Sequence, residues 1–560
     1  MPIFQSFQPL RNPLGFGAAD FVELLLAALL VLLYVARPSV EPYFRKLAPR
    51  TGLCMALLAI LPVALRLALL PHFPVPTPTG SDDFSHLLVA DTLAHFRLAN
   101  PVHPLHQFFE AIYVLQEPSY SSMYPPGQGL FLAFGRMVFG HPWAGVLLTD
   151  AAFCALCYWM LRAWVTPAWA LAGGLLAVFQ FGPLNQWTNT YWANAIPALS
   201  GCLVFGALGR AVAEPDTPRT RYAILAGLGL ALHLITRPFE STLLAAVALP
   251  AVLMLRRPSI ILRFAAPAGL MLLPAVALLL LQNHAVTGNW TTLPYMLSRY
   301  QYGIPATFVF QPNPAPHRPL TPEQDLDYRA QSAIHGDQPE TVTTFLERLG
   351  YRVRYYRFFL LPPLYLALLA FLVTMRERRY LWAVPAVGIF ALASNLYPYF
   401  YPHYIGAVTC LFVLMCVVGL ARLDRWSPDW KLGRLVLLLC TALFLGWYGI
   451  RLSGQEALLP ALAFDEWNFV NYGDPEGRIA VNGDLEKAQG QQLVFVHYSA
   501  KHGFHESIHN DADIDAARVV WALDLGASEN DKLIRHYPGR RVWLVEPDVR
   551  PVRLQAYPGH

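Results

Sequence analysis

Apolar residues in this chain come in long blocks, at 18–36, 51–71, 143–163, 167–184, 193–213, 222–236, 239–255, 260–282, 357–375, 380–396, 403–421 and 433–451. A helix needs roughly 20 mostly apolar residues to cross a bilayer core, so the pattern predicts about twelve spans. The block 125–140 differs. It opens Tyr124-Pro125-Pro126-Gly127-Gln128-Gly129 and ends at His141-Pro142, which makes it too short to cross. It is expected to lie along the membrane interface as a juxtamembrane or re-entrant helix. Beyond 452 the pattern becomes β-like at 492–498, 517–523 and 541–545, with a polar helical stretch near 529–536. The expected fold class is an α-helical polytopic membrane protein, 1–452, with a small C-terminal extramembrane α/β domain, 453–560.

Composition agrees: 55% of residues are hydrophobic and 14% charged, against about 25% charged in ordinary soluble domains. Basic residues collect at Arg37/Arg45/Lys46/Arg50, Arg162, Arg210/Arg219/Arg221, Arg256/Arg257/Arg263, Arg376/Arg378/Arg379 and Arg422/Arg425/Lys431/Arg434. The positive-inside rule assigns these ends to the cytoplasm. Loops 72–142, 185–192 and 283–356, the turns 237–238 and 397–402, and the tail then face outward. Arg11 before the first block resembles a signal-peptide start, but no small-residue cleavage site follows, so a retained span is expected. A net charge of +4 without basic–aromatic clusters excludes a nucleic-acid partner. All seven cysteines fall inside apolar blocks, so the Cys154/Cys157 pair reads as packing.

Chemistry concentrates in the first outer loop, at Gly80-Ser81-Asp82-Asp83-Phe84-Ser85-His86. Two adjacent carboxylates at a membrane exit are costly, and polar groups kept at that depth are functional candidates. One could take a proton from an acceptor hydroxyl or help hold a divalent cation such as Mg or Mn. The other reading is a helix start, with Ser81 and Asp82 as N-cap; the two are compatible.

An acidic pair after an early span, followed by Tyr124-Pro125-Pro126 opening a short apolar helix, resembles the GT-C superfamily of membrane glycosyltransferases, which includes protein O-mannosyltransferases and aminoarabinose transferases of lipid A. Tyr191-Trp192-Ala193-Asn194-Ala195 is similar to an uncharacterised bacterial group near this superfamily. The resemblance implies a bacterial inner-membrane enzyme that takes a sugar from a polyprenyl-phosphate donor to an envelope acceptor on the outer face, with inversion. It implies an essential acid at Asp82 or Asp83. Where mannosyltransferase-like members carry a further acid, this chain has Asn194, a weaker metal ligand.

A lipid-phosphate donor needs cationic partners at the outer boundary. Arg237 is the first candidate, and a structural pair with Glu240 is its alternative. His403-Tyr404 and Arg299 follow. Trp187, Tyr191 and Trp192 suit sugar faces and equally suit an aromatic belt. In the tail, Asp511, Asp513 and Asp515 begin like a calcium loop but lack its glycine and closing glutamate. His502, His505 and His509 have metal-ligand spacing without an evident supporting partner. Two other classes compete: a transporter or flippase, for which Asp150 is the main carboxylate inside a span, and an envelope assembly scaffold using the tail.

Overall fold

The computed structural model describes residues 14, 16–35, 41–214, 220–254, 258–336, 339–373, 377–454, 477–499, 502 and 507–558. Arg11, Arg37, Arg219, Arg256, Arg257, Arg376 and His505 lie outside the described residues.

Among the described residues, each of the twelve apolar blocks contains helix. Thr51–Ala68, Trp143–Leu161, Ala195–Ala213, Pro258–Thr287, Pro402–Trp426 and Leu432–Leu452 are six helices long and apolar enough to cross a membrane. Val342–Phe359 and Leu364–Val373, bent by 116°, make a seventh if counted as one span. Pro167–Phe181, Thr220–Leu234, Pro238–Leu253 and Ala383–Ser394 are apolar but shorter, and Ala18–Val35 has 18 residues. The expected count of twelve thus divides by length. A helix of 15 residues rises about 22 Å, short of a hydrocarbon core of about 30 Å. Pro167 and Pro238 open their helices at the starts of their blocks, and Gly182-Pro183 ends Pro167–Phe181 before its block does.

Pro126–Phe139 is a separate helix of 14 residues, ended by Gly140 at φ 78°. Its Gly127, Gly129 and Leu132 side is buried, while Phe134, Met137, Val138 and Phe139 are exposed.

The C-terminal domain is a four-stranded mixed sheet in the order Val519–Leu523, Gln492–Val496, Arg541–Glu546, Arg553–Ala556. The first three strands are parallel and the last is antiparallel. The central strand is buried on both faces, which is why it reads as an unbroken apolar run. Leu493 and Phe495 face a cluster with Leu88, Phe108, Phe109 and Val114 of the first loop. Val494 and Val496 face Val481, Leu485 and Ile508. The sheet therefore sits on the first loop, and His502 Nε2 bonds Glu323 Oε1 of loop 283–356 at 2.7 Å. First loop, tail and loop 283–356 thus contact one another. Edge strand Arg553–Ala556 carries no apolar run and escaped the sequence pattern.

Close helix packing depends on small residues. A Cβ built on Gly201 would lie 1.7 Å from the Ala407 carbonyl oxygen, whereas one on Gly269 meets nothing within 4 Å. Gly201→Ala is expected to lower the melting temperature of the detergent-solubilised protein, with an overpacking cost of about 1–3 kcal/mol. Gly269→Ala should leave it unchanged or raised, as scanning fluorimetry of both variants will report.

Candidate active site at the first loop

The first loop is anchored where its preceding span ends. Arg66, buried in Thr51–Ala68, donates to the carbonyls of Phe73 and Pro74 and to Asn189 Oδ1 of loop 185–192. The chain then starts the Ser81–Ala94 helix with Gly80 as N-cap, in place of the expected Ser81 or Asp82. Asp83, at the third helical position, reaches back to the backbone N–H groups of Thr79 and Gly80, and its Oδ1 accepts from the Tyr191 N–H at 2.9 Å. With its side chain 1% exposed, Asp83 is a bracket between two loops. Burial pushes its carboxyl up to about 6 despite these three bonds.

Asp82 has a different environment. Its Oδ1 accepts a short hydrogen bond from the Tyr124 hydroxyl. Burial raises its pKa, opposed by the Tyr124 bond and by the charge of Arg237. The Tyr-Pro-Pro-Gly-Gln-Gly sequence explains how Tyr124 arrives there. Gly127 packs against Thr236 and Gly129 against Val89, where side chains would collide. The Gly127 N–H donates to the Ile235 carbonyl at 2.8 Å, and Gln128 Nε2 donates to the Tyr191 carbonyl at 2.9 Å. The helix that opens with Pro126 thus joins the acidic loop, loop 185–192 and the Arg237 turn.

Arg237 uses Nε and Nη2 on Glu240 Oε1, at 3.0 and 2.8 Å, and lies over the Tyr404 ring at 4.3 Å. The structural pair with Glu240 is therefore real, and Nη1 remains outside it. His403 stacks on Tyr401 and meets Trp192 edge-on. His86 stacks on Tyr124 at 4.3 Å; burial, with the Arg237 charge, lowers its pKa to about 3, so it is neutral. His86 Nδ1, His403 Nδ1 and Asn194 Oδ1 are buried without a hydrogen-bond partner. Such atoms are uncommon in folded proteins.

The other expected residues separate. Trp187 is fully buried among Phe153, Phe181 and Phe358, where it fills the helical core. Tyr191 donates its hydroxyl to the Pro76 carbonyl and packs beside Leu132 and Trp143. Asn194 donates to Thr190 Oγ1. Arg299 holds the Pro305 and Ala306 carbonyls, with its charge reaching Tyr399. Asp150 is buried inside Trp143–Leu161, and both Cys154 and Cys157 are buried in the core. Sequence reasoning missed Arg66, Tyr113, Tyr399, Tyr401 and Asp327. Only the four-residue spacing of Glu323, Asp327 and Gln331 signalled a polar helix face.

Among the described residues, no third His, Cys, Asp or Glu completes a metal-holding group with Asp82 and Asp83. With Asp83 spent on backbone, the pair is not a built cage for Mg or Mn. His103, Asp515 and His536 form a group that could hold a metal at the seam between first loop and tail. As it stands, His103 Nδ1 accepts from the Leu105 N–H, so Nε2 carries the ring hydrogen and faces Asp515 Oδ1 at 3.3 Å. His502 sits between Glu323 and Asp548, and His509 stacks on Phe84, so these two do not converge. Two cavities of about 600 Å³ lie nearby. One, under the tail, is lined by Asp91, Arg136, Arg478 and Asp511; the other is bordered by Arg318, Tyr328 and His502.

No protein-family model matches the chain, and no curated protein does. Among solved structures, ArnT from Cupriavidus metallidurans in the apo state superposes with a TM-score of 0.51 at 14% identity, over 87% of this chain and 92% of that one. The fold of this chain is thus similar to that of ArnT. ArnT bound to undecaprenyl phosphate gives a TM-score of 0.49 at 13% identity, over 87% and 92% of the two chains. The Archaeoglobus fulgidus oligosaccharyltransferase AglB, in complex with an inhibitory peptide and a dolichol-phosphate, gives 0.42 at 11% identity, over 90% of this chain and 70% of that one.

Asp83→Ala strands three backbone N–H groups, and each loss of an acceptor costs about 1–3 kcal/mol. A clear fall in melting temperature is expected, with a smaller fall for Asp83→Asn, which keeps one carbonyl oxygen.

Proposed function

We propose that the protein transfers a sugar from a polyprenyl-phosphate-linked donor to an acceptor on the outer face of the bacterial inner membrane. The observation that carries this reading is the division of the acidic pair. Asp83 is consumed in holding the loops, while Asp82 keeps its carboxyl in an aromatic cluster that also contains Arg237.

Burial makes the Asp82 carboxylate more basic than usual, which suits a general base. The acceptor hydroxyl loses its proton to Asp82 as its oxygen attacks the anomeric carbon. The bond from that carbon to the phosphate oxygen breaks, and polyprenyl phosphate departs with the electron pair. In-line attack inverts the anomeric centre. Arg237, through Nη1, and His403 stabilise the departing phosphate. Trp192, Tyr401 and Tyr404 present rings to the sugar. On this reading residues 1–452 form the transferase module and 453–560 an extracytoplasmic domain resting on its first loop.

Label transfer from radiolabelled polyprenyl-phosphate sugars in membranes tests the reading. Asp82→Asn should reduce transfer by about 10²–10⁴-fold while membrane insertion and melting temperature stay as in the wild type. Undiminished turnover would refute the base role. Tyr124→Phe removes a bond that lowers the Asp82 pKa, so the carboxylate should form only at higher pH. The acidic limb of the kcat/KM profile is expected to move upward in pH.

A further inference from the structure

Loop 283–356 also reaches this cluster. Its helix Pro322–His335 has the composition of a solvated helix, yet Glu323, Asp327 and Gln331, four residues apart and so on one face, are all buried. Buried polar groups need partners; Glu323 finds His502 of the tail, while Asp327 and Gln331 find theirs beside the site. Gln331 Oε1 accepts from the Ala306 N–H at 2.8 Å, which orients the amide. Its Nε2 then donates to Asp327 Oδ2 at 2.8 Å and to the Tyr113 hydroxyl at 2.9 Å.

Tyr113 has φ 62°, in the left-handed region that bulky residues rarely occupy. Its carbonyl is held by Ser85 Oγ at 2.8 Å and by the Met123 N–H at 3.1 Å. Strain of this kind persists where the surroundings over-determine a position, and it clusters at functional sites. The Tyr113 ring meets Tyr124 edge-on at 6.0 Å, and Tyr124 holds Asp82. Tyr113, Tyr399 and Tyr401 each feel the charge of both Asp82 and Asp327. The two acids therefore flank one group of rings.

We infer that Asp327, oriented by Gln331 and Tyr113, is a second acid of the site and binds hydroxyl groups of the transferred sugar. This rests on the glycosyl-transfer reading. A sugar ring presents apolar faces, which the tyrosine rings can cover, and hydroxyl donors, which an anchored carboxylate accepts with fixed direction. Asp82 works on the attacking oxygen and Asp327 on the group being moved. Where Asn194 follows loop 185–192, with its Nδ2 donating to Thr190 Oγ1, a different loop supplies the acid.

The groups facing Asp327 are Asp82 and Tyr113 from the first loop, Tyr399 and Tyr401 from the turn before Pro402, and Glu323 on its own helix. Burial above all, with the Asp82 charge adding to it, pushes the Asp327 carboxyl up to about 7 against its hydrogen bonds. Its accepting, ionised form is thus lost as pH falls through neutrality.

The test is steady-state kinetics of the full-length protein with a labelled polyprenyl-phosphate sugar. Asp327→Asn should raise KM for the donor about 10- to 100-fold, the worth of a hydrogen bond to a charged group. Its kcat should stay within about threefold and its melting temperature should be unchanged. Wild-type 1/KM should fall below pH 7, and the variant's should be flat. An unchanged KM and pH dependence overturn the inference, and so does a joint loss of kcat and melting temperature, which would make Asp327 a structural brace. No transfer by the wild type refutes the glycosyl-transfer reading and this inference with it. Transfer that needs Asp82 but ignores Asp327→Asn refutes the inference alone.

Discussion

One buried carboxylate holds the arrangement together. Asp83 accepts from the backbone of Thr79, Gly80 and Tyr191. A carboxylate withdrawn from water must find such donors or become neutral. By meeting that need with main chain from two loops, the protein fixes where the Ser81–Ala94 helix starts and how it is rotated. Rotation matters because consecutive residues on a helix point about 100° apart. With Asp83 turned to loop 185–192, Asp82 is turned toward Tyr124 and the Arg237 turn. The same adjacency that made the pair look anomalous is what divides its labour.

The remaining charges follow the same economy. Arg66 is held by two carbonyls and an asparagine, Arg237 by Glu240 and a tyrosine face, and Arg352 by the carbonyls of Ser394 and Tyr397. Each buried cation braces a turn at the end of the bundle where the loops meet. Groups with spare bonding capacity, such as His86 Nδ1 and His403 Nδ1, lie among aromatic rings in the space those braced turns define. Fixed backbone around under-used polar atoms is what a preorganised site needs.

The architecture was legible because lipid imposes long apolar blocks and the sheet imposes alternation. The blocks marked the apolar helices but not their length, which for Pro167–Phe181 depends on the stop at Gly182-Pro183, and they did not mark loop helices such as Ser81–Ala94 and Pro322–His335. The strand Arg553–Ala556 was hidden because an exposed antiparallel edge has no apolar requirement. Within the site, Asp82, Tyr124, Arg237 and His403 were visible as polar or aromatic residues at helix ends near the membrane. Trp187 carried the same signal and went to the core instead, since an indole that fits between Phe153 and Phe181 gains more from packing than from a wet rim. Asp327 was invisible for the opposite reason. Glutamates, aspartates and glutamines on a loop helix look solvated, and only tertiary contact reveals that one face is dry.

The sheet that covers the first loop has a consequence in time. The Asp91 carboxylate accepts from the Ala512 N–H, across 421 residues of chain. At synthesis rates of about 5–20 residues per second, that interval is roughly 20 to 80 s. During it, Leu88, Phe108 and Phe109 have no sheet to pack against. The acidic loop leaves the ribosome long before the strands that cover it. A product stalled before residue 492 would therefore present the helical bundle with its first loop uncovered.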